Sequence, residues 1–127
     1  PFGFGLSYTK FEIGKATASK TTLTINESTK LTIPVRNRGK RSGTEIVQVY
    51  IRKVGDVDGP LKTLRGFERV DVAAGKTQNA VIELDASSFE FYDWNNRGMA
   101  VTPGEYEVLY GNSSDDKDLK VLNIKIL

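Results

Sequence analysis

Apolar and polar residues alternate along most of this chain. Over residues 30–37, Leu31, Ile33 and Val35 interleave with Thr32, Pro34 and Arg36. That period of two marks a half-buried strand. Pro34 lacks a ladder donor, which predicts an edge position or a bulge. Over residues 44–52, Val47, Val49 and Ile51 share one face. Ile46, Gln48 and Tyr50 share the other, which predicts a partly covered outer surface. Residues 61–70 set Leu61, Leu64, Phe67 and Val70 among basic residues, with Phe67 expected in the core or over a sheet edge. Gly66 is expected at a bulge or a close strand approach. Further runs follow at 77–84 (Ala80, Ile82, Leu84), at 105–110 (Tyr106, Val108, Tyr110) and at 119–127. Turn residues separate them: Asn37-Arg-Gly39, Ser42-Gly43, Ala74-Gly75, Asn95-Asn-Arg-Gly98 and Pro103-Gly104. A brief helical turn over 86–91, capped by Asp85, is the sole helical signal. About seven short strands punctuated in this way predict an all-β, antiparallel β-sandwich.

The first eleven residues depart from alternation in a different way. Phe2, Phe4 and Leu6 interleave with Gly3 and Gly5, and Tyr8 and Phe11 follow. Glycine permits close backbone approach but costs entropy to order. Such a strip needs a surface to pack on. It reads as a connector to something upstream, with Phe2, Phe4, Leu6, Tyr8 and Phe11 as the docking residues.

Composition narrows the chemistry. The 127 residues suffice for one core, and 39% hydrophobic with 27% charged is ordinary for a globular domain. No apolar run approaches the roughly 20 residues of a membrane span, so no membrane partner is expected. There is no His and no Cys. Ser-His-Asp and Cys-His catalysis are therefore excluded, with almost every zinc, copper or iron site. No cofactor is expected. Carboxylates remain, and a pair of them can hydrolyse a glycoside, but no spacing among the 16 acidic residues singles out a pair.

The candidate surface features divide into turns and faces. Arg36, Arg38, Lys40 and Arg41 cluster beside Asn37 and Gly39 without the interleaved aromatics that nucleic-acid binding uses. A solvated turn or an acidic neighbouring domain suits them better. Asn37 and the glycines near it suit a hairpin turn with a left-handed residue. Asp56-Val-Asp-Gly59 lacks the third ligand and the later Glu of a calcium loop. Phe89, Phe91, Tyr92 and Trp94 form the densest aromatic group. Exposed aromatic faces stack on pyranose rings, which makes Tyr92 and Trp94 candidate carbohydrate contacts. Alternate members of the group facing the core, or other domains, is the competing reading.

Four blocks, in order, resemble a known family. They are PFGFGLSYTKF at 1–11, VRNRGKRSGTEIVQVYI at 35–51, PLKTLRGFERV at 60–70 and VTPGEYEVLYGNSS at 101–114. They are similar to the fibronectin type III-like domain, and the junction before it, at the C-terminus of glycoside hydrolase family 3 enzymes of the β-glucosidase and β-xylosidase type. One departure is local: Met99-Ala100-Val101 stands where many members carry a Trp before the Pro-Gly turn.

The resemblance implies a fibronectin type III-like, immunoglobulin-like sandwich over 13–127, with 1–12 as an interdomain connector. It implies a non-catalytic accessory domain whose partners are the upstream catalytic domains of the same polypeptide. The parent would hydrolyse terminal β-linked glucose or xylose and be periplasmic or secreted. Residues 53–60 would at most form a rim loop to a site built elsewhere. A carbohydrate-binding module, and an adhesion-type immunoglobulin-like module, are the alternatives.

Overall fold

The structure is a computed structural model that describes residues 10–55, 62–112 and 118–127. Eleven strands run through the described residues: β1 (Phe11–Ile13), β2 (Thr17–Ala18), β3 (Thr22–Leu23), β4 (Thr29–Asn37), β5 (Gly43–Lys53), β6 (Thr63–Val72), β7 (Thr77–Leu84), β8 (Phe91–Asp93), β9 (Gly98–Ala100), β10 (Gly104–Gly111) and β11 (Lys120–Ile126). In one sheet β4 is central, with β7 on one side and the short β1 and β2 on the other. The second sheet has the order β3-β11-β10-β5-β6. The β8–β9 hairpin forms a separate two-stranded ribbon. The 3₁₀ turn Ala86–Phe89 is capped by Asp85 as the sequence predicts.

Alternation fills the space between the sheets. Leu31, Ile33 and Val35 on β4 and Ala80, Ile82 and Leu84 on β7 are buried. Val47, Val49 and Ile51 on β5, Tyr106, Val108 and Tyr110 on β10, and Ile124 and Ile126 on β11 meet them in one core. Each buried Val, Leu or Ile among them contributes about 1.5–3 kcal/mol on full burial. The two core tyrosines also hydrogen-bond. The Tyr106 hydroxyl donates to the Thr102 carbonyl at 2.6 Å, the pattern of a tyrosine corner. The Tyr110 hydroxyl accepts the Ala16 N–H at 2.9 Å and ties the β1–β2 segment down.

Three residues sit otherwise than the sequence predicts. Pro34 is on the central strand β4, not at an edge. Its carbonyl accepts the Gly14 N–H at 2.8 Å. A strand residue's nitrogen faces the same side as its carbonyl, so the missing donor falls between the short β1 and β2 and leaves the β7 ladder whole.

Asn37 is no left-handed turn residue, since Arg97 alone among the described non-glycine residues has positive φ. It is a buried hub instead. Its Nδ2 donates to the Arg41 carbonyl at 2.7 Å and the Val72 carbonyl at 2.9 Å. Its Oδ1 accepts the Gly39 N–H at 2.8 Å. Its backbone N–H donates to Lys76 O, and its carbonyl accepts from Gly75 N–H. Gly75, at φ +72°, gives the β6–β7 turn the conformation that makes this possible. The 37–43 connection therefore crosses from one sheet to the other.

Phe67 is the third. It is 67% exposed, on the outer face of β6. The register explains why: Val49 faces Gly66 and Tyr50 faces Leu64, so Arg65 is an extra, bulged residue. The bulge changes which face each residue takes, and puts both Leu64 and Phe67 outside. Gly66 faces inward, where a Cβ would stand 3.3 Å from Ile82 Cγ2. The sequence reading of Gly66 therefore stands.

Candidate functional site

The aromatic group at 89–94 divides by depth. Asp85 opens the 3₁₀ turn: its Oδ1 accepts the Ser87 hydroxyl at 2.6 Å and the Ser88 N–H at 3.2 Å. Those bonds, the Ser87 hydroxyl foremost, hold its carboxyl below the usual range. The turn delivers Phe89 into the core, edge-on to Tyr106 at 5.5 Å. Phe91 follows at 6.0 Å from the same ring. The Arg65 guanidinium lies 4.8 Å over Phe91 and donates to the Glu90 carbonyl. Burial lowers the Arg65 pKa, opposed by the charge of Glu90. Its Nε is buried without a hydrogen-bond partner.

Strand alternation then turns Tyr92 outward, and Trp94 follows at the start of the hairpin loop. They are 45% and 69% exposed. Their rings meet edge to face, centroids 4.6 Å apart at 72°. Met99, the register partner of Tyr92, is exposed beside them. Lys53, Val54, Gly55, Asp93 and Asn95 join the two rings in a groove of about 240 Å³. A larger depression, about 490 Å³, is lined by Ser42, Gly43, Thr44, Asp71, Val72 and Ala73. Asp71 there accepts the Thr44 hydroxyl at 2.5 Å.

The outer face of the five-stranded sheet is the second candidate. The register carries an apolar row across four strands: Leu64, Tyr50, Leu109 and Val121. Leu109 is buried outside the main core. Leu64, Phe67, Ile46 and Val121 are exposed. Lys62 Nζ lies 5.2 Å over the Tyr50 ring, and Arg52 pairs with Glu107 at 2.7 Å. The sequence reading marks β5's outer face as partly covered but misses Phe67 and Leu64, whose side depends on the bulge.

Among the predicted docking residues, Phe2, Phe4, Leu6 and Tyr8 lie outside the described residues, as do 56–60 of the predicted rim loop. Phe11 lies in β1, opposite Asn37, half-buried against the core. No group of three or more His, Cys, Asp or Glu that could hold a metal occurs among the described residues.

Residues 45–114 match the model of the fibronectin type III-like domain family. The chain is a fibronectin type III-like domain. Over 126 residues it is 51% identical to a xylan 1,4-β-xylosidase from Xylanibacter ruminicola, a match spanning 99% of this chain and 14% of that enzyme. It is 32% identical to a periplasmic β-glucosidase from Salmonella typhimurium, over 90% of this chain and 15% of the relative. The solved structure of a β-glucosidase from Erythrobacter marinus superposes on the whole domain with a TM-score of 0.84 at 33% identity. The domain covers 17% of that chain. The fibronectin type III-like domain thus spans about one-sixth or less of the relatives it matches.

Proposed function

We propose that this domain is a non-catalytic packing unit of a longer β-glycosidase of the glycoside hydrolase family 3 type. The parent would act on terminal β-linked xylose or glucose, with its catalytic carboxyls in other domains. The observation that carries this reading is the outer sheet face. Phe67, Leu64 and Ile46 expose an apolar surface, in a chain whose relatives extend several times its length. Contiguous exposed apolar surface of this kind marks an interaction site. The strip over residues 1–11 is proposed as a second attachment, running along the same polypeptide.

A periplasmic or secreted location is proposed from the periplasmic relative.

The test is Phe67→Ser, made in the longer polypeptide and in this chain alone. The polypeptide should lose several degrees of thermal stability, and the chain should change little, because Phe67 is outside its core. Equal effects in both would overturn the packing role. The chain alone should leave nitrophenyl β-xyloside and β-glucoside uncleaved; turnover above background would overturn its non-catalytic status.

A further inference from the structure

We propose that the β8–β9 hairpin, with the end of β5, forms a binding subsite for one β-linked pyranoside unit. A pyranose offers two chemically distinct surfaces. Its faces are rows of C–H bonds, which favour an aromatic ring. Its equator is a rim of hydroxyls that both donate and accept. The groove supplies both halves. Tyr92 and Trp94 pack edge to face, centroids 4.6 Å apart at 72°, and both line the groove. Lys53, Asp93 and Asn95 line the same groove. Asp93 and Asn95 contribute a carboxylate acceptor and an amide that both donates and accepts, while the Lys53 ammonium at the groove's edge donates to Thr102 Oγ1.

The charge pattern selects the ligand class. Lys53 and Asp93 are opposite in sign and line one groove. A neutral polyol suits that pairing better than a phosphate or a nucleotide. The site is also held in shape before a ligand arrives. Asp93 Oδ1 accepts the Asn95 N–H at 3.1 Å, and Oδ2 accepts from Asn96 Nδ2 at 2.7 Å. Arg97 closes the loop at φ +53°, a conformation a non-glycine residue holds only where its surroundings impose it. Below, Phe91 is buried against Tyr106 beneath the Arg65 guanidinium. Binding would therefore cost little ordering of the protein.

The choice of β-linked sugar rests on the glycosidase reading above. The experiment follows the emission of Trp94, the single tryptophan of the 127-residue chain, during titration with xylotriose and cellotriose. Amide shifts by NMR locate any response. Binding in the millimolar range is expected for a single ring with few hydrogen bonds. The expected result is a saturable emission change with either sugar and shifts confined to Lys53, Val54 and 91–99. Trp94→Ala should weaken the NMR-detected binding about tenfold or more. Phe67→Ser should leave it intact.

Unsaturable or absent change with both sugars would overturn the proposal, as would shifts centred elsewhere. A third outcome also overturns it: Trp94 inaccessible to a soluble quencher in the longer polypeptide, which would make the hairpin an interdomain contact. The packing role is read from the thermal stability of Phe67→Ser, so the two readings fail separately.

Discussion

Asn37 shows how much one polar side chain can hold. Its amide bonds span the 37–43 connection and reach β6 at Val72, 35 positions away. Asn37→Ala leaves the Val72 carbonyl and the Gly39 N–H short of partners. The expected loss is about 2–3 kcal/mol of unfolding free energy, read from the urea midpoint. A loss below about 0.5 kcal/mol would mean that water replaces the amide. Tyr110→Phe is a narrower case. It strands the buried Ala16 N–H and should cost about 1–3 kcal/mol. Neither role is readable from sequence, because the partners are brought together only by the sandwich topology. Glu27 makes a pH prediction. Its carboxyl is held down to about 2, chiefly by the Lys20 ammonium and next by the Thr24 N–H. The folded pKa is depressed, so its stabilising effect is full above the ordinary carboxylate range and is lost as pH falls toward 2. In Lys20→Ala the Glu27 carboxyl should titrate nearer its ordinary value, followed by NMR of its side-chain carbon. An unmoved titration would show that Lys20 is not the cause.

At the level of elements, legibility follows burial on one face. Strands β4, β5, β7 and β10 were readable because alternate residues of each fill the core, although Leu109 on the outer face of β10 is buried as well. β6 was readable as an apolar run but its faces were not, since a single bulged residue shifts the pattern, and the side that Leu64 and Phe67 take is known only from the register with β5. The split of the 89–94 aromatics follows the same rule in reverse: a capped turn ends, a strand begins, and alternation decides which rings are wet. The hairpin loop carries its own strain. Arg97→Asn places there a residue that tolerates positive φ. It should stabilise the domain by about 0.5–1 kcal/mol, seen as a melting temperature raised by a few degrees. A lower melting temperature would mean that the Arg97 side chain stabilises more than its backbone costs.

For the whole molecule, the two sheets are unequal in what they show. The four-stranded sheet presents mostly charged and polar residues outward, such as Lys30, Arg36 and Glu83, whereas the five-stranded sheet carries the apolar row. In the isolated chain that face should drive weak self-association. Phe67→Lys should reduce it, measured by sedimentation at rising concentration, without lowering the melting temperature. Unchanged association would place the contact elsewhere. Glu68, on the inward side of the edge strand β6 yet exposed, discourages further strands from adding there.

The parallel pairing of β3 with β11 has a mechanical consequence. The Thr21 carbonyl holds Lys125 N–H and the Leu23 carbonyl holds Leu127 N–H, both at 2.8 Å. Tension applied before β3 and after β11 pulls these two strands in opposite directions along their length. Their bonds then bear the load side by side and must break together, rather than unzipping one at a time. Separating β3 from β11 along their length therefore needs both bonds to yield at once.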